Sequence, residues 1–207
     1  MLLDQFKRTK QKAYPIIRTE PVSAISDVKQ YMGRNGDKFD LVFFDLPGTL
    51  NADGVIRTVA AMDHLFIPIK ADRIVVESAI MFAKVIHEQL MRQGKSNIKT
   101  IGLFWSMVDR RERTRLFDVY EDVIGSFGLP ILKTRLPVRS KFSKELETGN
   151  NGIYRSTLLA PDPAFIRDCQ LDKLADEILS IIKLNRHGSQ KLLSGRDRRK
   201  AVSGFGR

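Results

Sequence analysis

The chain has 207 residues, 43% of them hydrophobic, which is enough for one domain with a hydrophobic core. The single cysteine, Cys169, excludes an intramolecular disulfide and suits a reducing compartment, so a cytoplasmic location is expected. No apolar run approaches the ~20 residues that a membrane-spanning helix needs, and the N-terminal residues lack the apolar block of a secretory signal, so no membrane span is expected.

The net charge of +11 is concentrated at the C-terminal end. From Lys183 to Arg207 there are eight Lys or Arg residues and one acid, a net +7. We predict an α/β domain over residues 1–183 and a basic, largely disordered tail over 184–207. Such a tail either binds phosphate backbones or anionic membranes without specificity, or only keeps the protein in solution.

Strand and helix patterns alternate along the chain. Short apolar runs rich in β-branched and aromatic residues predict four strands. They are Phe39–Leu46, His64–Ile69, Thr100–Met107 and Pro130–Leu136. Apolar residues spaced three and four apart predict the helices. They run from Thr19 to Gly33, Asn51 to Met62, Asp72 to Gly94, Glu112 to Phe127 and Leu171 to Lys183. This order predicts βαβ units and therefore a mainly parallel, doubly wound sheet with helices on both faces.

The helix after residue 112 has a clear apolar periodicity. Its spacing predicts one buried face, with Gly128 as the C-cap. The side chains expected on that face are Leu116, Tyr120, Val123, Ile124 and Phe127.

The carboxyl ends of the predicted strands carry the candidate site, because ligands of parallel sheets bind there. Asp45 ends the first strand, where a carboxylate can hold Mg²⁺ through water opposite a phosphate. Pro47 and Gly48 suit a type II turn, and Gly48 lets a phosphate approach the backbone. The alternative is an ordinary strand-to-helix turn with a solvated aspartate.

A glycine-rich phosphate loop is not found in the sequence. The only Gly-Lys-Ser, residues 94–96, ends a helix and precedes a strand, whereas a phosphate loop ends a strand and opens a helix. We interpret it as a helix stop. Arg111, after the third strand, is either a phosphate ligand or a solvated residue of a first helical turn.

Taken in order, these groups resemble the motifs of the ParA/MinD partition ATPases, a deviant P-loop class that includes ParA-like proteins of conjugative transposons. FDLVFFDLPG resembles the second phosphate and Mg²⁺ motif of the class. SMVDRR is similar to its Thr-Met-x-Asp-x-Arg motif, and TRLP resembles its Ile-Pro loop beside the nucleotide base. The resemblance covers about residues 36 to 183.

The resemblance implies a P-loop NTPase-like fold and an ATP- and Mg²⁺-dependent homodimer. Such a dimer binds non-specific DNA and works with a ParB-like or transfer-apparatus partner. The resemblance also implies residue roles. Asp45 would be the Mg²⁺-side carboxylate, and the other nucleotide-binding residues would be Pro47, Gly48, Met107 and Pro137. The residues implied to contact DNA are Arg111 and Lys141.

One departure from the family pattern is large. The class has a strand and a Lys-Gly-Gly-x-x-x-Lys-[Ser/Thr] loop before these motifs, and the 38 residues before Phe39 contain no such loop. Without the loop's N–H cradle and lysines, competent ATP hydrolysis is not expected. We therefore expect a ParA-type protein that lacks its P-loop strand, shortened in the gene or by the choice of Met1 as start. The alternatives are a non-catalytic DNA-binding or dimerising module of a mobile element, and a nonfunctional remnant.

Overall fold

The computed structural model of the protein describes residues 15–35, 39–48, 54–109, 111, 114–140 and 163–184. These residues form a mixed α/β fold with a two-stranded parallel sheet. The strands are β1 (His64–Ile69) and β2 (Thr100–Trp105). The helices are α1 (Ala24–Asn35), α2 (Val55–Ala60), α3 (Arg73–Ile86), α4 (Thr114–Ser126), α5 (Pro163–Asp168) and α6 (Leu171–Ile181). A π-helical turn, His87–Met91, continues α3.

The sheet is extended by a third segment, residues 130–138. β1 and β2 pair in register from His64 with Thr100 to Ile69 with Trp105. The third segment runs parallel to β2 and forms two isolated bridges. These bridges join Leu103 to Ile131 and Val108 to Pro137. The prediction of a parallel strand over Pro130–Leu136 is therefore correct in direction, but the segment forms isolated bridges instead of a continuous strand.

A carboxylate explains why the third segment leaves β2 between the two bridges. The backbone N–H groups of Lys133 and Thr134 donate hydrogen bonds to Glu177 of α6, at 2.7 and 2.9 Å. These two N–H groups are satisfied by a side chain instead of a neighbouring strand, so the segment can bulge there without losing hydrogen bonds.

The prediction of a buried strand over Phe39–Leu46 is wrong. The segment is irregular and mostly exposed, with Phe43 exposed to 77%, although Leu46 packs against the core. Strand propensity becomes strand structure only where a neighbouring strand supplies hydrogen bonds and an apolar face to cover. In the described residues no strand pairs with this segment.

The chain enters α2 through a close backbone contact. Gly54 precedes α2 with a φ of +83°, and a Cβ atom at this position would lie 2.4 Å from the Cα of Val22. The hydroxyl of Thr58 in α2 donates to the carbonyl of Pro21 at 2.6 Å. The N-terminal segment is thus held directly on α2. The predicted cap of this helix, Asn51, lies outside the described residues.

The long helix after β1 confirms its predicted start and stop. Asp72 is the N-cap, and its carboxylate accepts hydrogen bonds from the N–H groups of Ile74 and Val75 at 3.0 and 3.3 Å. The helix ends in the π-helical turn, and Gly94 follows with a φ of +64°. Residues 94–96 are therefore a helix stop, as interpreted from the sequence.

Two helix predictions need correction. α1 begins at Ala24, so Thr19 does not cap it; the Thr19 hydroxyl instead contacts Ser23 and Asp27. In α4 the predicted buried face is turned by about one residue. Phe117 and Ile124 are the buried side chains, whereas other members of the predicted face are exposed. The exposed members are Leu116, Val123 and Phe127.

The core lies where α2, α3 and α4 pack on the sheet. Trp105 and Leu103 of β2 are fully buried, while β1 is only half-buried over most of its length. The core residues from the helices include Val55, Val59, Val76, Ala83, Ile86 and Phe117. β2 is thus the central element, and β1 is hydrogen-bonded to a strand along one edge in the described part of the chain.

Candidate functional site at the carboxyl ends of the strands

The ends of β1, β2 and the third segment meet at the carboxyl edge of the sheet. The N–H of Ser106, just after β2, donates to the carbonyl of Ile69 at the end of β1 over 2.7 Å. On the other side, the N–H of Val108 donates to the carbonyl of Leu136 at 2.9 Å, and the N–H of Val138 donates to Val108 at 2.9 Å. This pairing brings the predicted site residues Met107 and Pro137 to neighbouring positions.

Met107 has an unusual backbone conformation. Its φ is +57°, in the left-handed region that residues with a Cβ atom rarely occupy, and its side chain is exposed. The hydrogen bonds on both sides of it, at Ser106 and Val108, hold the backbone in this conformation. Strained positions of this kind are concentrated at functional sites, so Met107 stays a candidate.

Asp109 holds Arg111 at the edge of the site. The Asp109 carboxylate accepts hydrogen bonds from the Arg111 backbone N–H at 2.9 Å, from Nε at 3.2 Å and from Nη2 at 3.1 Å. These bonds lower the pKa of Asp109 and raise that of Arg111. The Arg111 side chain is 91% exposed. Its guanidinium is therefore oriented by Asp109 and open to an anion from solvent.

Asp45, Pro47 and Gly48 are exposed, and a Cβ atom added at Gly48 would meet nothing within 4 Å. No hydrogen bond or ion pair of the described residues joins Asp45 to Met107 or Pro137. Their segment is attached to the fold through Leu46, which packs against the core. The structure therefore brings Met107 and Pro137 to neighbouring positions and gives no hydrogen bond or ion pair of Asp45 with either of them in the described residues.

The described residues do not by themselves fit a Mg²⁺–nucleotide site. In these ranges, no group of three or more His, Cys, Asp or Glu side chains could hold a metal ion. Mg²⁺ at a nucleotide is held by one or two carboxylates together with phosphates, and the phosphates need a cradle of backbone N–H groups. Asp45 offers one carboxylate, and Gly48 has open space around it instead of a cradle.

The basic residues after Pro137 have a structural use. Arg139 pairs with Asp168 at the end of α5: Nε lies 2.7 Å from one carboxylate oxygen, and Nη2 donates to the other at 2.7 Å. Nη2 also donates to the backbone carbonyl of Asp168 at 2.7 Å. This ion pair and the hydrogen bonds of Nη2 tie the end of the third segment to α5. Lys141, the second predicted DNA contact, lies outside the described residues, as do tail residues 185–207.

Sequence reasoning missed the network behind the site. Glu121 of α4 accepts hydrogen bonds from Trp105 and Arg135, both at 2.7 Å. The Arg135 guanidinium also lies 4.8 Å from the Phe117 ring centroid. The only sequence signal was a glutamate on the inner side of an amphipathic helix, which is too common to indicate this role.

Neither a protein-family model nor a curated protein sequence matches the chain at a significant level. The described residues contain no helix that is both long enough and apolar enough to cross a lipid bilayer. The function is therefore inferred from the residues at the sheet edge and from the sequence motifs.

Proposed function

We propose that this protein is a ParA-like DNA-binding protein that binds duplex DNA without sequence preference and takes part in partition or conjugative transfer of DNA. The order of the motifs along the chain supports the family. Arg111 carries the DNA-binding part of the proposal, because its guanidinium is exposed at the carboxyl edge of a parallel sheet. The chain's net charge of +11 is of the sign that DNA binding requires.

Arg111 would bind a backbone phosphate by exchanging its carboxylate partner. Guanidinium groups bind carboxylates and phosphates with the same two-pronged geometry, so a phosphate can replace Asp109 at Nε and Nη2. The backbone N–H of Arg111 can stay bonded to Asp109 during this exchange, which keeps the loop in place. ATP hydrolysis is not part of the proposal, since the described residues do not fit a nucleotide site.

The proposal is tested by fluorescence anisotropy with a short labelled duplex over a range of salt concentrations. We expect log K to fall linearly with log salt, because phosphate binding releases counterions. Arg111→Glu is expected to weaken binding to all duplexes alike and to reduce the salt slope by about 1. Lys141→Glu is expected to act in the same direction.

Arg92 provides the matched control. It is also an exposed arginine with a local carboxylate partner, Glu88, at 3.0 Å, but it follows the π-helical turn and precedes β2, at the opposite end of the sheet. Arg92→Glu should leave affinity and salt slope close to the wild-type values. Equal losses in Arg111→Glu and Arg92→Glu, or no binding by the wild type at low salt, would overturn the proposal.

A further inference from the structure

Met107 combines two features that are unfavourable at a protein surface. Its backbone has a φ of +57°, and its apolar side chain is 58% exposed. Glycine would adopt this conformation without steric cost and has no side chain to expose. The other non-glycine residues with a positive φ in the described ranges, Gln170 and Lys183, are polar and lie at helix ends, where this conformation is common. Met107 follows a strand instead, so a different reason is needed for its side chain.

The backbone on both sides of Met107 is fixed by hydrogen bonds. Ser106 donates to Ile69 at the end of β1, and Val108 is bonded to the third segment through both its N–H and its carbonyl group. Val138, which donates to that carbonyl group, is itself 47% exposed. The carboxyl edge therefore presents apolar side chains to solvent on a backbone that is held in place.

Arg111, the proposed phosphate-binding residue, lies on the same connection as Met107, four residues further along the chain. Four residues span at most about 14 Å, which is roughly the length of four base pairs at ~3.4 Å each. A duplex with one phosphate bound to Arg111 would therefore lie within reach of the Met107 side chain.

Charged residues of both signs surround Met107. Asp109 is bonded to Arg111, and Asp72 accepts hydrogen bonds from the first turn of α3. Other exposed charges close to the end of β1 and the start of α4 include Lys70, Arg115 and Asp118. Because these charges largely balance, an apolar contact would add affinity for DNA that the charges of this edge do not supply.

Duplex DNA offers few contacts to an apolar side chain. Phosphates and sugars form its outer surface, and the base planes become accessible only where two neighbouring base pairs unstack. Methionine is one of the apolar residues that proteins insert into such a step. Its thioether is flexible and makes favourable contacts with aromatic rings, which suits it to the planes of the bases.

We propose that Met107 inserts between two neighbouring base pairs of duplex DNA when Arg111 binds a backbone phosphate. This inference rests on the proposed DNA binding and adds to it a preference for duplexes that unstack easily. Unstacking costs least at a mismatched pair, so mismatched duplexes should bind more tightly than perfect ones. The contact would also bury the apolar side chain that is exposed in the free protein.

The first test compares two labelled duplexes of equal length by fluorescence anisotropy, one perfect and one with a central mismatch. The wild type is expected to bind the mismatched duplex about tenfold more tightly, and Met107→Ala is expected to lose this preference. Met81→Ala is the matched control, because Met81 is 60% exposed on α3, about two turns from the carboxyl edge. An equal loss of preference in both variants would contradict the role of Met107.

The second test detects the unstacking directly. The fluorescent base analogue aminopurine, placed beside the mismatch, becomes brighter when its neighbours unstack. Wild-type protein should increase this fluorescence, whereas saturating Met107→Ala should not. If the wild type binds both duplexes equally and leaves the fluorescence unchanged, the insertion is refuted and the proposed DNA binding stands. If it binds neither duplex at low salt, both proposals fail.

Met107→Gly separates the side chain from the backbone conformation. Glycine accepts the positive φ, so this variant should be at least as stable as the wild type in thermal unfolding. It should nevertheless lose the preference for the mismatched duplex. Its salt slope should stay at the wild-type value, because methionine neutralises no phosphate, in contrast to Arg111→Glu. A strongly destabilised Met107→Gly would show that the side chain serves the fold, contrary to the proposal.

Discussion

The indole Nε1–H of Trp105 donates a hydrogen bond of 2.7 Å to Glu121 Oε1 and so joins the central strand β2 to helix α4. Trp105 is fully buried, and its ring packs edge-on against Phe117 at a centroid distance of 4.9 Å. The same carboxylate oxygen accepts a hydrogen bond from Arg135. The Glu121 side chain therefore accepts hydrogen bonds both from β2 and from the segment that follows α4.

Glu121→Ala is expected to lower the free energy of unfolding by about 1–3 kcal/mol, because the buried indole N–H would lose its acceptor. Urea unfolding monitored by fluorescence measures this directly, since Trp105 is the only tryptophan of the chain. Asp122→Ala, at the exposed neighbouring position, should change the free energy by less than about 0.5 kcal/mol. A loss in Glu121→Ala no larger than in this control would contradict the role of the network.

The contribution of Glu177 to stability is tested by comparing the wild type with Glu177→Gln over a range of pH. Burial tends to raise the pKa of Glu177, but the hydrogen bonds from Lys133 and Thr134 outweigh it and hold the pKa below its ordinary value of 4.5. A lowered carboxyl pKa stabilises the fold above pH 4.5, and this stabilisation is lost as the pH falls through the folded-state pKa. The wild type should therefore be more stable than Glu177→Gln at neutral pH, and the difference should shrink on acidification. A difference that stays constant between pH 7 and pH 3 in urea titrations would refute this.

His64 should make the protein less stable on mild acidification. Burial lowers its pKa below 6.5, against the opposing effect of Asp63, and Nδ1 is buried without a hydrogen-bond partner among the described residues. The unfolded chain therefore binds a proton more readily than the folded one, and stability declines as the pH falls below about 6.5. His64→Gln should flatten the stability profile in this range. A stability profile of His64→Gln that is as steep as that of the wild type would contradict this role of His64.

Gly54→Ala is expected to destabilise the protein by at least about 1 kcal/mol. The new Cβ would lie 2.4 Å from the Cα of Val22, and the positive φ disfavours any residue with a side chain. Gly33→Ala, in α1 with open space around it, should instead be neutral or stabilising by up to about 1 kcal/mol. Thermal unfolding followed by circular dichroism compares the two variants.

Phe43→Ser tests whether residues 39–46 form an exposed segment, as in the structure, or a buried strand, as predicted from the sequence. Phe43 is 77% exposed, so the substitution should change the free energy of unfolding by less than about 0.5 kcal/mol. A core phenylalanine at this position would cost roughly 3 kcal/mol or more on truncation. Leu46→Ala should cost more than Phe43→Ser, because Leu46 packs on the core.

Local sequence patterns were enough for the elements that depend on local interactions. β1 and β2 follow from short apolar runs rich in β-branched and aromatic residues. The cap at Asp72 follows from a side chain that reaches the N–H groups of its own helix, and the stop at Gly94 from a residue that tolerates a positive φ. Met107 and Pro137 were candidates through the family resemblance, not through a local pattern. They adjoin because carboxyl ends of parallel strands meet at one edge.

The tertiary structure decided the features that depend on partners distant in the chain. Phe39–Leu46 has the composition of a strand, but a strand needs a neighbour, and this segment has none in the described residues. The Glu177 carboxylate accepts hydrogen bonds from two backbone N–H groups of the third segment that a neighbouring strand would otherwise accept. No local sequence pattern predicts this contact. In α4 the apolar residues span an arc of roughly 160°, which is wider than the stripe that the sheet covers, so periodicity alone could not choose the buried side chains. Phe117 is buried because it packs against Trp105, whereas Val119 is exposed.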